Sequence, residues 1–218
     1  MIGIVIAMQS EADILLEQMQ ILSSATVSGK DVYVGTAYGK EVALCVCGVG
    51  KVNAALGTQL LISEFDVAKI LNFGVAGSLN NETKLCEVYQ IEGATQFDFD
   101  LVQLNGTKIG TLNEYTESYL QLASLQVNLE KRKLGTADRF NDSKDDYKLL
   151  TEELGADIRD MEGGAIVQAA YASKLPVYSV KAISDVAGSG STTEQYLANK
   201  DKALKNLQAA LPLIFEEL

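Results

Sequence analysis

Acidic side chains follow three apolar stretches of this chain, at the point where each stretch ends. Glu11, the run Asp160-Met161-Glu162, and Asp185 occupy these positions. If the stretches are strands of an α/β sheet, their carboxyl ends meet at the edge where such sheets bind ligands. Carboxyl groups collected at one edge can act as general acids and general bases. The pattern therefore predicts an acid/base site built from carboxyl groups.

The chain has 218 residues, of which 29 are acidic and none is histidine. The absence of histidine excludes a Ser-His-Asp triad, a Cys-His dyad and a zinc site with histidine ligands. An acid or base must then be Asp, Glu, Lys, Tyr or Cys. A structural alternative stays open for each acidic position, because Asp and Glu also cap helices and favour the helix dipole.

The glycine-rich turn Gly48-Val49-Gly50-Lys51 resembles the end of a phosphate-binding loop. That motif requires glycine six residues before the lysine and Ser or Thr after it. Here the two positions are Cys45 and Val52, which excludes a phosphate loop of that kind. The free N–H groups of a strand-to-helix turn could still bind an anion or a polar ligand edge. The alternative is a tight turn with no ligand.

Charge and cysteine content limit the partners and the compartment. The net charge of −11 argues against nucleic acid, whose binding proteins carry basic patches. Three cysteines, at 45, 47 and 86, are too few and too close to form a disulfide framework, so we expect buried thiols in a reducing compartment. The apolar segment Met1 to Ala7 is too short for a signal peptide or a membrane span, and the acidic residues Glu11 and Asp13 follow it. We expect a cytoplasmic protein with no membrane partner.

Strands and helices that would position these residues alternate along the chain. Apolar runs predict strands at 2–7, 32–37, 42–47, 70–73, 134–137, 158–161 and 177–183. Helical spacing predicts a first helix that Ser10 caps and that reaches Met19, and further helices at 51–65, 115–125, 146–154, 163–173 and 194–216. This alternation predicts one α/β domain over residues 1–218 with a parallel or mixed central sheet.

Five segments, in this order, resemble the 5′-methylthioadenosine/S-adenosylhomocysteine nucleosidases of the nucleoside phosphorylase superfamily. They are residues 1–11, 48–55, 72–77, 160–163 and 182–185, and the resemblance extends over essentially the whole chain. It implies an α/β fold: a single three-layer α/β/α domain around a mixed central sheet, assembled as a homodimer. It also implies hydrolysis of the bond between adenine and a 5′-thio-substituted ribose, with no cofactor and no metal.

The resemblance also assigns roles to individual residues. Asp185 is similar to the acid that protonates purine N7, and Glu11 is similar to the residue that activates the attacking water. Met161 and Glu162 match the pair that holds the ribose hydroxyls. The remaining substrate-binding positions are Phe140, where an aromatic ring stacks on the base, and Met8, Val49, Val75 and Ser184 around the ribose and the nucleophile.

Two other functions stay open. A phosphorylase on the same scaffold needs a phosphate site, usually with arginines, and the three arginines here are Arg132, Arg139 and Arg159. None lies in the first ninety residues, where phosphorylases generally place theirs, so hydrolysis is preferred. A nucleoside-binding protein without catalysis is the other alternative, because the family commonly has Ser where Val75 stands and Arg where Lys181 stands.

Overall fold

The computed structural model describes residues 1–140 and 143–218. Within these residues ten strands form one sheet. They are β1 Ile2–Ile6, β2 Met19–Val27, β3 Lys30–Ala37, β4 Lys40–Val46, β5 Lys69–Ser78, β6 Val88–Gln96, β7 Leu120–Gln121, β8 Lys131–Thr136, β9 Ile158–Asp160 and β10 Val177–Val186. Their order is β10-β6-β8-β9-β5-β1-β4-β3-β2, with β7 beside β6 and a further pairing of β10 with β5.

The sheet is mixed, as the sequence predicts. β1 pairs in parallel with β4 and β5, and β5 pairs in parallel with β10. β9 runs antiparallel to β5 and parallel to β8, while β6 runs antiparallel to β10. The carboxyl ends of β1, β5 and β10 therefore open at the same edge of the sheet.

The helices are α1 Gln9–Leu16, α2 Lys51–Glu64, α3 Val102–Asn105, α4 Lys144–Lys148, α5 Gly163–Ala172 and α6 Thr192–Glu217, and α4 continues as a π-helical turn over Leu149–Leu154. One buried cluster contains Leu61 of α2 and Ile166 of α5. A second contains Leu15 of α1 and Phe215 of α6. Burial of these apolar faces against the sheet provides most of the stability of such helices. None of the helices in the described parts of the chain combines the length and apolar character needed to traverse a bilayer.

The predicted helix over 115–125 is wrong. The structure has loop there, with only the short β7 pairing against Gly93 and Ala94 of β6. The N–H groups of Leu122 and Ala123 bind the carbonyls of Glu92 and Val177, 2.8 and 2.9 Å away, instead of carbonyls four residues earlier. Tertiary hydrogen bonds have replaced the helical ones, while the apolar residues are still buried.

The first helix also differs from its prediction. It begins at Gln9 and ends at Leu16, so Ser10 lies in its first turn and does not cap it. Met19 starts the edge strand β2, whose following side chains are mostly exposed. The capping position belongs to Met8, whose N–H is bound by the Glu11 carboxylate. Polar edge strands of this kind carry no apolar alternation, and the sequence analysis missed β2 for that reason.

The cysteine prediction is confirmed. Cys45, Cys47 and Cys86 are free and buried. Cys45 and Cys47, two residues apart, pack into the same core cluster. Burial raises the pKa of the two thiols to about 11 and about 12, so both stay protonated and unreactive at neutral pH.

Candidate active site

One cavity of about 470 Å³ opens at the edge where β1, β5, β9 and β10 end. Its wall contains every residue that the sequence analysis assigned to the site. They are Met8, Glu11, Val49, Val75, Phe140, Met161, Glu162, Ser184 and Asp185. A volume of this size fits a nucleoside-sized ligand.

Glu11 is held from two sides. Its Oε2 accepts the N–H of Met8 at 3.2 Å, and its Oε1 accepts the N–H of Val75 at 2.8 Å. The carboxylate lies against Gly74, where a Cβ atom would overlap it. Burial raises the pKa of Glu11, although nearby Lys181 and the two N–H groups oppose the shift. A buried carboxyl group whose pKa is raised and whose position is fixed in this way is suited to accept a proton.

The two carboxylates of the run Asp160-Met161-Glu162 have different hydrogen-bond partners. Asp160 accepts the N–H of Gly163 at 2.9 Å and the hydroxyl of Thr136 at 2.6 Å, so it satisfies the start of α5. Glu162 instead accepts the N–H of Gly50 at 2.8 Å, across the cavity. The capping alternative therefore applies to Asp160, although Asp160 also lines the cavity, and it does not apply to Glu162.

The glycine-rich turn before α2 does bind an anion, but the anion is part of the protein. Gly50, with φ of +99°, adopts a conformation that side chains disfavour and points its N–H at Glu162. The next N–H, of Lys51, binds Asp138 at 2.7 Å. Both donors are thus used by internal carboxylates.

Lys181 and Asp160 form an ion pair of 2.9 Å that lies almost fully buried behind the cavity. Burial alone would lower the pKa of Lys181, but the carboxylates of Asp160, Glu11 and Glu162 outweigh it and raise the pKa. Burial, followed by the charge of Asp160, raises the pKa of Glu162 to about 7. The single ammonium group of Lys181 thus interacts electrostatically with three carboxylates. From the sequence, Lys181 was noted only as a position where the family commonly has arginine.

Asp185 reaches the cavity through an irregularity in β10. The register between β10 and β5 shifts at Ser184, because Ile183 pairs with Ala76 and Asp185 pairs with the next residue, Gly77. Such bulges re-aim side chains beside active sites. Asp185 Oδ2 accepts the Ser184 hydroxyl at 2.8 Å, and α6 is capped by Ser191, so Asp185 is not a helix cap.

The open side of the cavity is formed by α6 and by the chain after β8. The rings of Phe140 and Tyr196 meet edge to face, with 5.8 Å between their centroids. The Tyr196 hydroxyl contacts the sulfur of Met8 at 3.6 Å. Further wall residues were not assigned to the site from the sequence, among them Arg139, Arg159, Thr193, Tyr196 and Leu197. Several of these residues lie close in sequence to the motifs at 160–162 and 184–185, and that proximity could have indicated that they belong to the site.

No three His, Cys, Asp or Glu side chains in residues 1–140 and 143–218 are arranged to hold a metal ion. The wall combines carboxyl groups, of which Glu11 and Glu162 have raised pKa values, with apolar and aromatic surface. Such a wall can bind a flat, weakly polar ligand and transfer protons to it.

Comparison with known proteins identifies the family. The model of the Phosphorylase superfamily matches residues 1–216. The 5′-methylthioadenosine/S-adenosylhomocysteine nucleosidase of Marinomonas sp. (strain MWYL1) is 30% identical over 213 residues, covering 90% of this chain and 91% of that protein.

Two solved structures share the fold. The nucleosidase of the same name from Colwellia psychrerythraea 34H, in complex with adenine, superposes with a TM-score of 0.89 at 26% identity, covering 99% of this chain and 95% of that one. Futalosine hydrolase of Helicobacter pylori strain 26695 superposes with a TM-score of 0.90 at 24% identity, covering 100% and 97%. This chain belongs to the phosphorylase superfamily and, within it, to the 5′-methylthioadenosine/S-adenosylhomocysteine nucleosidases.

Proposed function

We propose that this protein hydrolyses the N-glycosidic bond of 5′-methylthioadenosine, S-adenosylhomocysteine or a related purine nucleoside and releases adenine. One observation carries the proposal: Glu11, Glu162 and Asp185 come from three distant parts of the sequence and meet on one nucleoside-sized cavity. Family membership supports the same reaction.

Departure of the base needs an acid. Adenine leaves poorly as an anion, so protonation of N7 by Asp185 lets it depart as a neutral molecule. General acid catalysis of this kind contributes about 10²–10⁴-fold to the rate. Ser184, which donates its hydroxyl to Asp185, holds the carboxyl group in place. Phe140 stacks on the base.

Breaking the C1′–N9 bond leaves positive charge on the ribose, and water completes the reaction. Glu11 takes a proton from the water as its oxygen bonds to C1′, by analogy with inverting glycosidases. Met161 and Glu162 hold the ribose hydroxyls, and the carboxylates stabilise the oxocarbenium-like transition state electrostatically. Met8, Val49 and Val75 line the ribose and the nucleophile.

Phosphorolysis is the second candidate, and Arg139 and Arg159 on the cavity wall favour it. Against it stands the glycine-rich turn, whose Gly50 and Lys51 N–H groups are already bound by Glu162 and Asp138. An incoming phosphate would have to displace these carboxylates and would be repelled by them. Water meets no such barrier, so hydrolysis is the function that the geometry supports best.

The test is to incubate the protein with 5′-methylthioadenosine, with and without phosphate, and to identify both products by chromatography. Hydrolysis gives adenine and free 5-methylthioribose at a rate independent of phosphate. Strict phosphate dependence with a sugar 1-phosphate product would select the phosphorylase instead. Tight binding of the nucleoside with no release of base would select the non-catalytic binding protein.

We also propose a homodimer built on α2. Val52 and Leu56 of α2 are apolar and more than half exposed, and their spacing of four residues places them on one side of the helix. Val49, just before the helix, is also about half exposed. A second copy of the chain would cover them. Val52→Glu with Leu56→Glu should convert a dimer to a monomer in light scattering, whereas Leu213→Glu, at an exposed leucine of α6, should not. A wild-type monomer would refute the proposal.

The finer architecture is likewise proposed. A single domain of three layers is supported by the two core clusters, one with α2 and α5 and the other with α1 and α6. Three free, buried cysteines support the expected reducing, cytoplasmic compartment.

A further inference from the structure

Arg159 lies between two cavities. It lines the main cavity and also a smaller one of about 210 Å³, whose wall includes Lys144, Tyr147 and Gly188. Its side chain forms no hydrogen bond and no ion pair with any other residue in the described ranges 1–140 and 143–218. A guanidinium group carries five donors and stays charged. Arg159 therefore offers unused donors to a ligand.

The neighbour of Arg159 on this wall is Asp185. Gly77 separates them: a Cβ atom built there would lie 2.7 Å from Asp185 Oδ1 and 3.3 Å from Arg159 Nε. The proposed proton donor and the guanidinium group thus both approach Gly77, which has no side chain of its own. Because the two groups lie this close together, a ligand atom bound to Asp185 places its neighbouring atom near Arg159.

On a purine, the group next to N7 is the substituent at C6. In adenine this substituent is an amino group, which donates hydrogen bonds, whereas in 6-oxopurines it is a carbonyl oxygen, which accepts them. An arginine facing the N7 and O6 pair is the commonest specific contact to guanine. The same guanidinium has no acceptor to meet on the amino group of adenine.

We propose that Arg159 is a specificity-determining residue, through which the site also accepts purine nucleosides with a carbonyl at C6. The inference rests on the proposed function, because it takes N7 to lie at Asp185. The bond changes are the same as with adenine: C1′–N9 breaks, water oxygen bonds to C1′, and the base leaves neutral after protonation at N7. Arg159 adds hydrogen bonds to O6 and transfers no proton.

The test uses two substrates that differ only at C6, 5′-methylthioadenosine and 5′-methylthioinosine. Release of base gives kcat/KM for each with the wild type, Arg159→Met and Arg139→Met. Methionine keeps the length of the side chain and removes its donors. We expect the wild type to cleave both, and Arg159→Met to lower the 6-oxo to 6-amino ratio by about 10- to 100-fold.

Arg139→Met is the matched control. Arg139 lines the same cavity, but its guanidinium already binds Asp146 at 2.7 Å. Its replacement should change both substrates together and leave their ratio within about threefold. Thermal unfolding of both variants separates loss of specificity from loss of fold.

Two results overturn the inference while the proposed function stands. In one, the wild type cleaves only the 6-amino substrate; in the other, Arg159→Met leaves the ratio unchanged. If the wild type cleaves neither nucleoside, the proposed function fails, and calorimetric binding of hypoxanthine and adenine decides about Arg159. Tenfold weaker binding of hypoxanthine alone in Arg159→Met then supports the inference, and equal loss for both bases refutes it.

Discussion

The two ends of the cavity are held in different ways. At the sheet end, Glu11, Asp160, Glu162, Lys181 and Asp185 are all less than a tenth exposed. Lys181 lies within β10, and the four carboxyl groups stand at or just beyond strand ends. At the open end, Phe140 is 51% exposed and Leu197 is 72% exposed, and they meet the cavity from a loop and from α6. The sheet end fixes polar atoms, whereas the open end offers apolar surface. The chemical step therefore belongs to the sheet end, and apolar contact with the substrate belongs to the open end.

The largest effect is expected from the sheet end. Asp185→Asn keeps the size of the side chain but removes the transferable proton, so kcat for 5′-methylthioadenosine should fall by about 10²–10⁴-fold. Asp201→Asn, at an exposed acid of α6, is the control and should leave kcat unchanged. Undiminished turnover by Asp185→Asn, with an intact circular dichroism spectrum, would remove Asp185 from the acid role.

Lys181→Met tests whether the sheet end is held by charge. It leaves Asp160 buried without its cation, which should lower the free energy of unfolding by about 3–5 kcal/mol in urea. Adding Asp160→Asn removes the uncompensated charge and should recover part of the loss. A cost no larger than that of Lys202→Met, at an exposed lysine, would show that the ion pair does not hold this end.

Phe140→Leu tests the open end. Loss of base stacking should weaken substrate binding by about 1–3 kcal/mol, seen as a higher KM with a much smaller change in kcat. Tyr196→Phe keeps the ring contact with Phe140 and loses only the hydroxyl near Met8, so its effect should be smaller. A fall in kcat as large as that of Asp185→Asn would erase the distinction between the two ends.

The smallest effect is a change in pH dependence. Glu162 has a pKa raised to about 7, chiefly by burial, and it must be ionised to accept hydrogen bonds from the ribose. The rate should therefore rise with pH up to about 7, in a limb that belongs to the coupled carboxylates. Glu162→Gln should flatten this limb at a lower overall rate. A wild-type profile without the limb contradicts the assignment.

The raised pKa of Glu162 also determines whether the free energy of unfolding rises or falls with pH. Because the pKa of Glu162 is higher in the folded protein than its ordinary value of 4.5, the unfolded state loses this proton first as pH rises. The stability that the proton contributes is complete below pH 4.5 and is lost as the pH rises to about 7. Glu162→Gln should remove this part of the pH dependence in urea unfolding.

Sequence alone predicted the parts of the fold that depend on local burial. The apolar runs 2–7 and 70–73 are central strands, because fully buried strands need apolar residues on both faces. The helix over 115–125 failed because Leu120 and Leu125 are buried by contacts from distant residues. No local pattern distinguishes such a segment from a helix.

For the site, sequence predicted which residues would meet but not how they are partnered. Asp160 and Glu162 stand two residues apart and both line the cavity, and only the distant Lys181 and Gly50 determine which carboxylate forms the buried ion pair and which binds the glycine-rich turn. Arg159 was noted only as one of three arginines. Its position beside Asp185 depends on the pairing of β9 with the end of β5, which is a property of the folded sheet.

Two glycines of β5 border the proposed acid and base, so the strand fixes the distance between these two groups. Glu11 rests on Gly74 and Asp185 rests on Gly77. Three residues of strand span about 10 Å, a length that backbone geometry fixes and side chains cannot alter. Loops and α6 can therefore change residue by residue, and with them the contacts at the open end of the cavity, without moving the acid relative to the base. In this architecture, those contacts and the chemical step can vary independently.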